Sequence, residues 1–266
     1  MNAEIFLEST REHRRSLIWW GLGITLFIGI NMVFYPSIRD DSGLSDYSKE
    51  LPEAVRALFV GGELDLTSPA GYLNSQIFAL TAPTLLAIFA VTAGAGAIAG
   101  DEERGYLDLR LAQPVSRIWF GLQQFAWLVA GTLILAAVLL LTVMIGSIAF
   151  DLSIGFDKVL AITVSTTLFA LVFGALALAV GGAWPGKSRA IAVAAAAATF
   201  SWVMEGFAKL VSWLEPIQVV SPNHLAFGQD PLTGGAPWLE WGALVAMIGS
   251  LLAVAVFGLG RRDVRQ

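Results

Sequence analysis

Apolar positions along the chain gather into six long runs, Leu17 to Tyr35, Ile77 to Ala99, Trp119 to Phe150, Val159 to Ala183, Ala190 to Leu214 and Trp238 to Gly260. A bilayer core about 30 Å thick takes roughly 20 such residues per helical crossing. The pattern predicts an all-α, polytopic integral membrane protein with six transmembrane helices in a single domain, 1–266. The third run exceeds one membrane thickness and must tilt or project into water. The first ends in Asn31-Met32-Val33-Phe34-Tyr35-Pro36, with no small-residue cleavage site, and reads as a retained span.

Composition agrees: 56% of residues are hydrophobic and only 14% charged, whereas charged residues make up about a quarter of a soluble domain. The absence of cysteine excludes disulfides, thiolate metal sites and cysteine nucleophiles. The net charge of −5 divides unevenly. With the N-terminus on one side, that side holds eleven of the 16 basic residues against eight acids, or +3, and the other holds five against 13, or −8. The excess of Lys and Arg predicts that both termini are cytoplasmic.

This orientation assigns the loops. Outside lie a long loop, 36–76, a turn around Asp151 to Lys158, and a loop from Glu215 to Pro237. Inside lie segment 100–118, the Trp184-Pro185-Gly186-Lys187-Ser188-Arg189 turn and a basic tail. After Pro52, Leu51, Val55, Leu58 and Phe59 recur at helical spacing, which predicts a short amphipathic surface helix. Thr67 or Ser68 before Pro69 is a helix start. Residues 1–16 mix Ile5, Phe6 and Leu7 with charges, compatible with an interfacial cytoplasmic helix or with a solvated tail, and Trp19 and Trp20 stand at aromatic-belt depth.

Most catalytic patterns dissolve on inspection. Gly181 to Ser188 satisfies the phosphate-loop expression, but that mechanism needs a strand before the loop, and here a membrane-length run precedes it. Pro185 also removes a cradling amide. Gly94-Ala95-Gly96-Ala97-Ile98-Ala99 fits a loose dinucleotide fingerprint with alanine last, yet it follows a membrane-length run, where small residues serve close helix packing in lipid. Glu102-Glu103 begins like the signature of intramembrane prenyl-protein proteases, but the position that needs arginine is Leu107. Intramembrane charge is sparse, which leaves a proton relay without support. The exception is Glu205 with Lys209, four residues apart in the favoured order. Two readings stand for it: an ion pair neutralising itself near the interface, or a carboxylate lining a substrate path. His13 and His224 both fall outside the apolar runs, against a two-histidine haem site in the bilayer.

The densest charge is Asp101-Glu102-Glu103-Arg104-Gly105-Tyr106-Leu107-Asp108-Leu109-Arg110, between two apolar runs. Three acids at the C-terminal end of a helix oppose its dipole, so local stability does not explain them. Gly100 and Gly105 permit a change of direction. Leu107, Leu109 and Leu111 give the segment an apolar surface that a solvated loop does not need. Pro114 ends it, and Ser116 is an N-cap candidate for the third span.

Residues 101–117, Asp-Glu-Glu-Arg-Gly-Tyr-Leu-Asp-Leu-Arg-Leu-Ala-Gln-Pro-Val-Ser-Arg, resemble a segment of the membrane subunits in the second exporter class of ABC transporters, the type 2 permeases. The likeness extends through 51–59, 67–74, Ser221-Pro222, Asp230-Pro231-Leu232 and Arg261-Arg262-Asp263, in order. Asp101, Tyr106 and Arg110 depart from the usual pattern. The resemblance implies a permease that forms a substrate pathway with a second copy or a paralogue. It implies separate ABC ATPase subunits that dock on the cytoplasmic loop 101–117 and carry the ATP and magnesium. It also implies that Glu102, Glu103, Arg104 and Gly105 transmit ATP-driven closure, with Tyr106 and Leu107 packing against the partner. The chain itself then binds no cofactor, metal or nucleic acid and is no enzyme. Its expected place is the cell membrane, as a multi-pass protein of a bacterial inner membrane. The alternatives are an accessory or sensory membrane protein that holds a soluble partner through the same loop without transport, and a membrane enzyme built on Asp40, Asp41 and Glu63.

Overall fold

The computed structural model describes residues 4–39, 68–103, 105, 116–208 and 218–261, with side chains of the first helix from His13 onward. These form α1 (Glu4–Arg39), α2 (Pro69–Glu103), α3 (Arg117–Ala149), α4 (Phe156–Ala183), α5 (Lys187–Ala208), a short α6 (Pro222–Phe227) and α7 (Trp238–Arg261). There is no strand among the described residues. All but α6 are long and apolar enough to cross a membrane. One end of the bundle, here the charged end, gathers His13, Asp101, Glu103 and Lys187. The opposite end gathers Asn74, Glu205, Gln218 and His224. The surface helix expected after Pro52 lies outside the described residues, as does the fifth apolar run beyond Ala208.

Helices extend past the apolar runs where local chemistry allows. No Gly or Pro interrupts residues 4–20, so the N-terminal segment and the first span form one continuous helix instead of an interfacial piece followed by a crossing. The second begins at Pro69, well before Ile77, because the Ser68 side chain accepts from the Gly71 N–H at 3.1 Å and Pro69 takes the first helical position. The Tyr72 hydroxyl donates to the Asn31 carbonyl at 2.6 Å, which satisfies a buried polar group and ties α2 to α1.

α2 is also the least regular helix. It passes through π-helical turns at Asn74–Phe78 and Gly96–Gly100, and it breaks at Ala79–Leu80, where Leu80 has φ −140°. Pro83 accounts for the break. It has no N–H to offer the carbonyl of Ala79, and its ring crowds that carbonyl.

The bundle is built around α4, in which 78% of the most apolar window is buried, against 22% in each of α1, α5 and α7. Thr163, Thr166 and Thr167 return their hydroxyls to carbonyls one turn back, at 2.7 Å each. Ser165 accepts from the Trp241 indole at 2.8 Å. These bonds let a polar stretch stay dry. α2 meets α4 at Gly94 and Gly174, where a Cβ on Gly94 would run into the Gly174 carbonyl and one on Gly174 would lie 2.9 Å from the Ala90 Cβ. Gly94 thus serves close packing, while Gly96 faces open space at the polar cavity. On α1, Ile24, Ile28, Met32 and Tyr35 turn inward at helical spacing, while Ile18, Leu22, Leu26 and Val33 stay exposed as a lipid-facing side.

The phosphate-loop match resolves as helix–turn–helix. Gly181 and Gly182 end α4, Gly186 turns the chain at φ 111°, and Lys187 opens α5.

Replacing Gly94 with Val forces α2 and α4 apart. We expect a loss of about 1–3 kcal/mol or more, read as a lower melting temperature and a smaller monodisperse fraction in detergent. Gly23→Val, where no atom lies within 4 Å of the added Cβ, is the matched control and stays close to the parent.

Candidate functional site

Asp101, Glu102 and Glu103 complete α2, and the Gly105 N–H closes the turn on the Glu102 carbonyl at 3.0 Å. Gly105 adopts φ 72°, a left-handed conformation that glycine enters without strain, and the chain changes direction there. Arg104, Tyr106 and Leu107 lie outside the described residues. Ser116 caps α3, accepting from the Trp119 N–H at 3.2 Å.

Glu103 has a use that its own helix does not explain. Its Oε1 accepts from the backbone N–H of Lys187 at 2.7 Å. Lys187 is the first residue of α5, and the residue before it is Gly186, which has no side chain to cap with. A carboxylate there satisfies one orphan amide and complements the positive end of the α5 dipole. An acid placed against the dipole of α2 is thereby placed in favour of that of α5. Asp101, 3% exposed, points inward beside the buried Gln124.

Three cavities follow one another along α2. At the charged end a polar cavity of about 340 Å³ is lined by His13, Thr92, Gly100, Asp101, Gln124 and Lys187, among others. Thr92 also borders the next, an apolar groove of about 400 Å³ between α2 and α5, walled by Leu80, Pro83, Ala87 and Val91 on one side and Ile191, Ala195, Ala198 and Trp202 on the other. Ala79, Trp202 and Asn223 border both this groove and a polar chamber of about 220 Å³ at the opposite end. The helix break at Ala79–Leu80 stands where groove becomes chamber. Non-helical backbone at membrane depth is tolerated where it is buried in protein or lines a cavity.

The chamber contains Glu205 and His224, with His224 Nδ1 3.4 Å from Oε1 and 3.3 Å from Oε2 of the carboxylate. Lys209 lies outside the described residues, so its relation to Glu205 is untouched; the neighbour found for Glu205 is His224, on α6. α6 is held there by Ser201, whose Oγ lies 2.8 Å from Ser221 Oγ and accepts from the Asn223 N–H at 3.0 Å.

The family model described as "ABC-2 family transporter protein" matches residues 4–264. The chain belongs to the ABC-2 transporter family. With six membrane-crossing helices it is a multi-pass membrane protein and the permease component of an ABC transporter. None of the curated proteins compared with the permease matches it.

Of the permease's residues singled out from sequence, Glu102, Glu103 and Gly105 stand at the end of α2 and Glu205 in the chamber about the length of the bundle away. Sequence reasoning missed the Glu103 cap on α5 and the Glu205–His224 pair. The readable sign of the first was a helix start, Pro185-Gly186-Lys187, without a capping side chain of its own.

Glu103→Ala in the permease is expected to cost about 1 kcal/mol and to speed hydrogen exchange at the amides of Lys187, Ser188 and Arg189 alone. Glu103→Gln keeps an acceptor oxygen and falls between the two. Unchanged exchange at the start of α5 in the alanine variant would show that the cap is idle.

Proposed function

We propose that this permease is an exporter subunit that forms a substrate pathway with a second permease copy or paralogue, and that separate ABC ATPases drive it through the loop 101–117 on the cytoplasmic side. One observation carries the reading. Residues 101–103 end α2, which forms one wall of the apolar groove, and Glu103 holds the first residue of α5, which forms the other. A load applied to this loop therefore reaches both walls together. Two states of the groove, differently stabilised by ATPase closure, are what coupling requires.

Glu102, Glu103, Arg104 and Gly105 transmit the load in this scheme, and Tyr106 and Leu107 supply the apolar contact with the ATPase. The +3 against −8 charge division supports cytoplasmic termini and a cell-membrane location. ATP and magnesium act in the partner. Cavities that succeed one another along α2, with Thr92, Ala79, Trp202 and Asn223 as shared borders, favour transport over a purely accessory or sensory role.

The test replaces residues 106–112 by a glycine–serine stretch of the same length, which leaves Glu103 and its bond to Lys187 in place. Co-purified ATPase should lose its stimulation by the permease by about tenfold or more, in the range of ordinary coupling energies. ATPase coupling that survives the replacement contradicts the proposal.

A further inference from the structure

The chamber at the opposite end holds more hydrogen-bonding capacity than the described protein uses. Glu205 Oε2 and Gln218 Oε1 are both buried and accept no hydrogen bond among the described residues. The 3.3 Å approach of His224 Nδ1 to Oε2 is not aligned to donate, and its contact with Oε1 is long at 3.4 Å. Asn223, 7% exposed, also lines the chamber and is held there by its backbone N–H bond to Ser201. Buried acceptors in native proteins are nearly always satisfied, by protein, water or ligand, so Glu205 Oε2 and Gln218 Oε1 mark places that a ligand's donors can take.

A ligand that displaces water from these acceptors has to bring donors, and the charge of the lining favours a cation. The described lining of the chamber sets two acids, Glu205 and Asp230, against His224 as its one group able to carry positive charge, and has no Lys or Arg. A buried carboxylate oxygen without a donor is costly, and a charged donor offsets that cost best. A primary ammonium offers three N–H donors and no acceptor, the complement of Glu205 Oε2 and Gln218 Oε1. The acids weigh against a phosphate-bearing headgroup. Because Ala79, Trp202 and Asn223 also border the apolar groove, a molecule seated here can lay an alkyl or aromatic body along Leu80, Ala87 and Ala198.

We propose that the chamber and groove together bind a cationic amphiphile, a primary amine carried on a single apolar body, with the ammonium on Glu205 and Gln218. This names the cargo class for the pathway proposed above and rests on that reading only for the word cargo, since binding itself needs neither ATP nor partner.

The test uses the full chain in phosphatidylcholine nanodiscs, with radiolabelled dodecylamine as probe, empty nanodiscs subtracted, and dodecanol, dodecyl sulfate and ethylamine as competitors. We expect dodecylamine to bind at least about tenfold more tightly than the alcohol, given the worth of a charge-assisted hydrogen bond. Dodecyl sulfate and ethylamine should compete poorly. Glu205→Gln should weaken amine binding roughly tenfold to a hundredfold and leave the alcohol unchanged. Gln218→Leu, which keeps the carboxylate, should give a smaller loss in the same sense, and Ala195→Trp should block amine and alcohol alike by filling the groove. Equal binding of amine and alcohol, ethylamine competing as well as dodecylamine, or amine preference that survives Glu205→Gln would each overturn the proposal. So would a tenfold or greater gain in amine affinity on Lys209→Met, which would make Lys209 the carboxylate's own counter-ion. Amine binding that persists while the loop replacement leaves ATPase coupling intact would refute the transport scheme and not the site.

Discussion

The meeting of α2 with α4 at Gly94 and Gly174 constrains everything else in the bundle, because in lipid there is no hydrophobic drive between helices and close backbone packing must hold them. With one face of α2 committed to α4 at this distance, the neighbouring face is left to α5, and α5 offers Ala195 and Ala198 where larger side chains would have closed the gap. The groove is therefore a by-product of tight packing on one side and small residues on the other. Pro83 adds a second constraint by breaking α2 at Ala79–Leu80. The break turns a uniform apolar cleft into one that ends in a polar chamber.

Glu103 shows how an apparent local defect can be a tertiary asset. Considered with its own helix, it is an acid at the negative end of a dipole. Considered with α5, it supplies the cap that Gly186 cannot. The same economy recurs at Ser201, a residue inside α5 that accepts from the first turn of α6 and positions His224 beside Glu205.

What the sequence made legible was local or compositional. Six apolar runs gave six crossing helices, and Ser68 and Ser116 were readable as caps because the amides they serve lie three residues on. Gly94 was readable as a packing position, but Gly96, two residues on, faces open space. Helix ends were less legible, since Asn74, Ser75 and Gln76 stop the apolar run but not the helix, whose polar groups find partners such as the Tyr72 carbonyl for Ser75 at 3.1 Å. Contacts across large sequence separations were invisible. Glu103 and Lys187 stand 84 residues apart, and Glu205 and His224 stand 19 apart across a loop, where periodicity says nothing. The charged segment was recognisable by its likeness to other permeases, but the way its acids are shared between helices follows only from the packing.

The bond from Glu103 to Lys187 has a geometrical consequence for the groove. It ties α2 and α5 at one end, while Ala79 and Trp202 face each other across the cleft toward the other. Two rods pinned near one tip separate as a pair of scissors does. α5 has 22 residues in its described length and so spans about 33 Å. A swing of about 5° at the pin therefore moves its far end by roughly 3 Å, while the pinned end hardly shifts. The shape itself makes an aperture that widens away from the pivot, with leverage set by helix length.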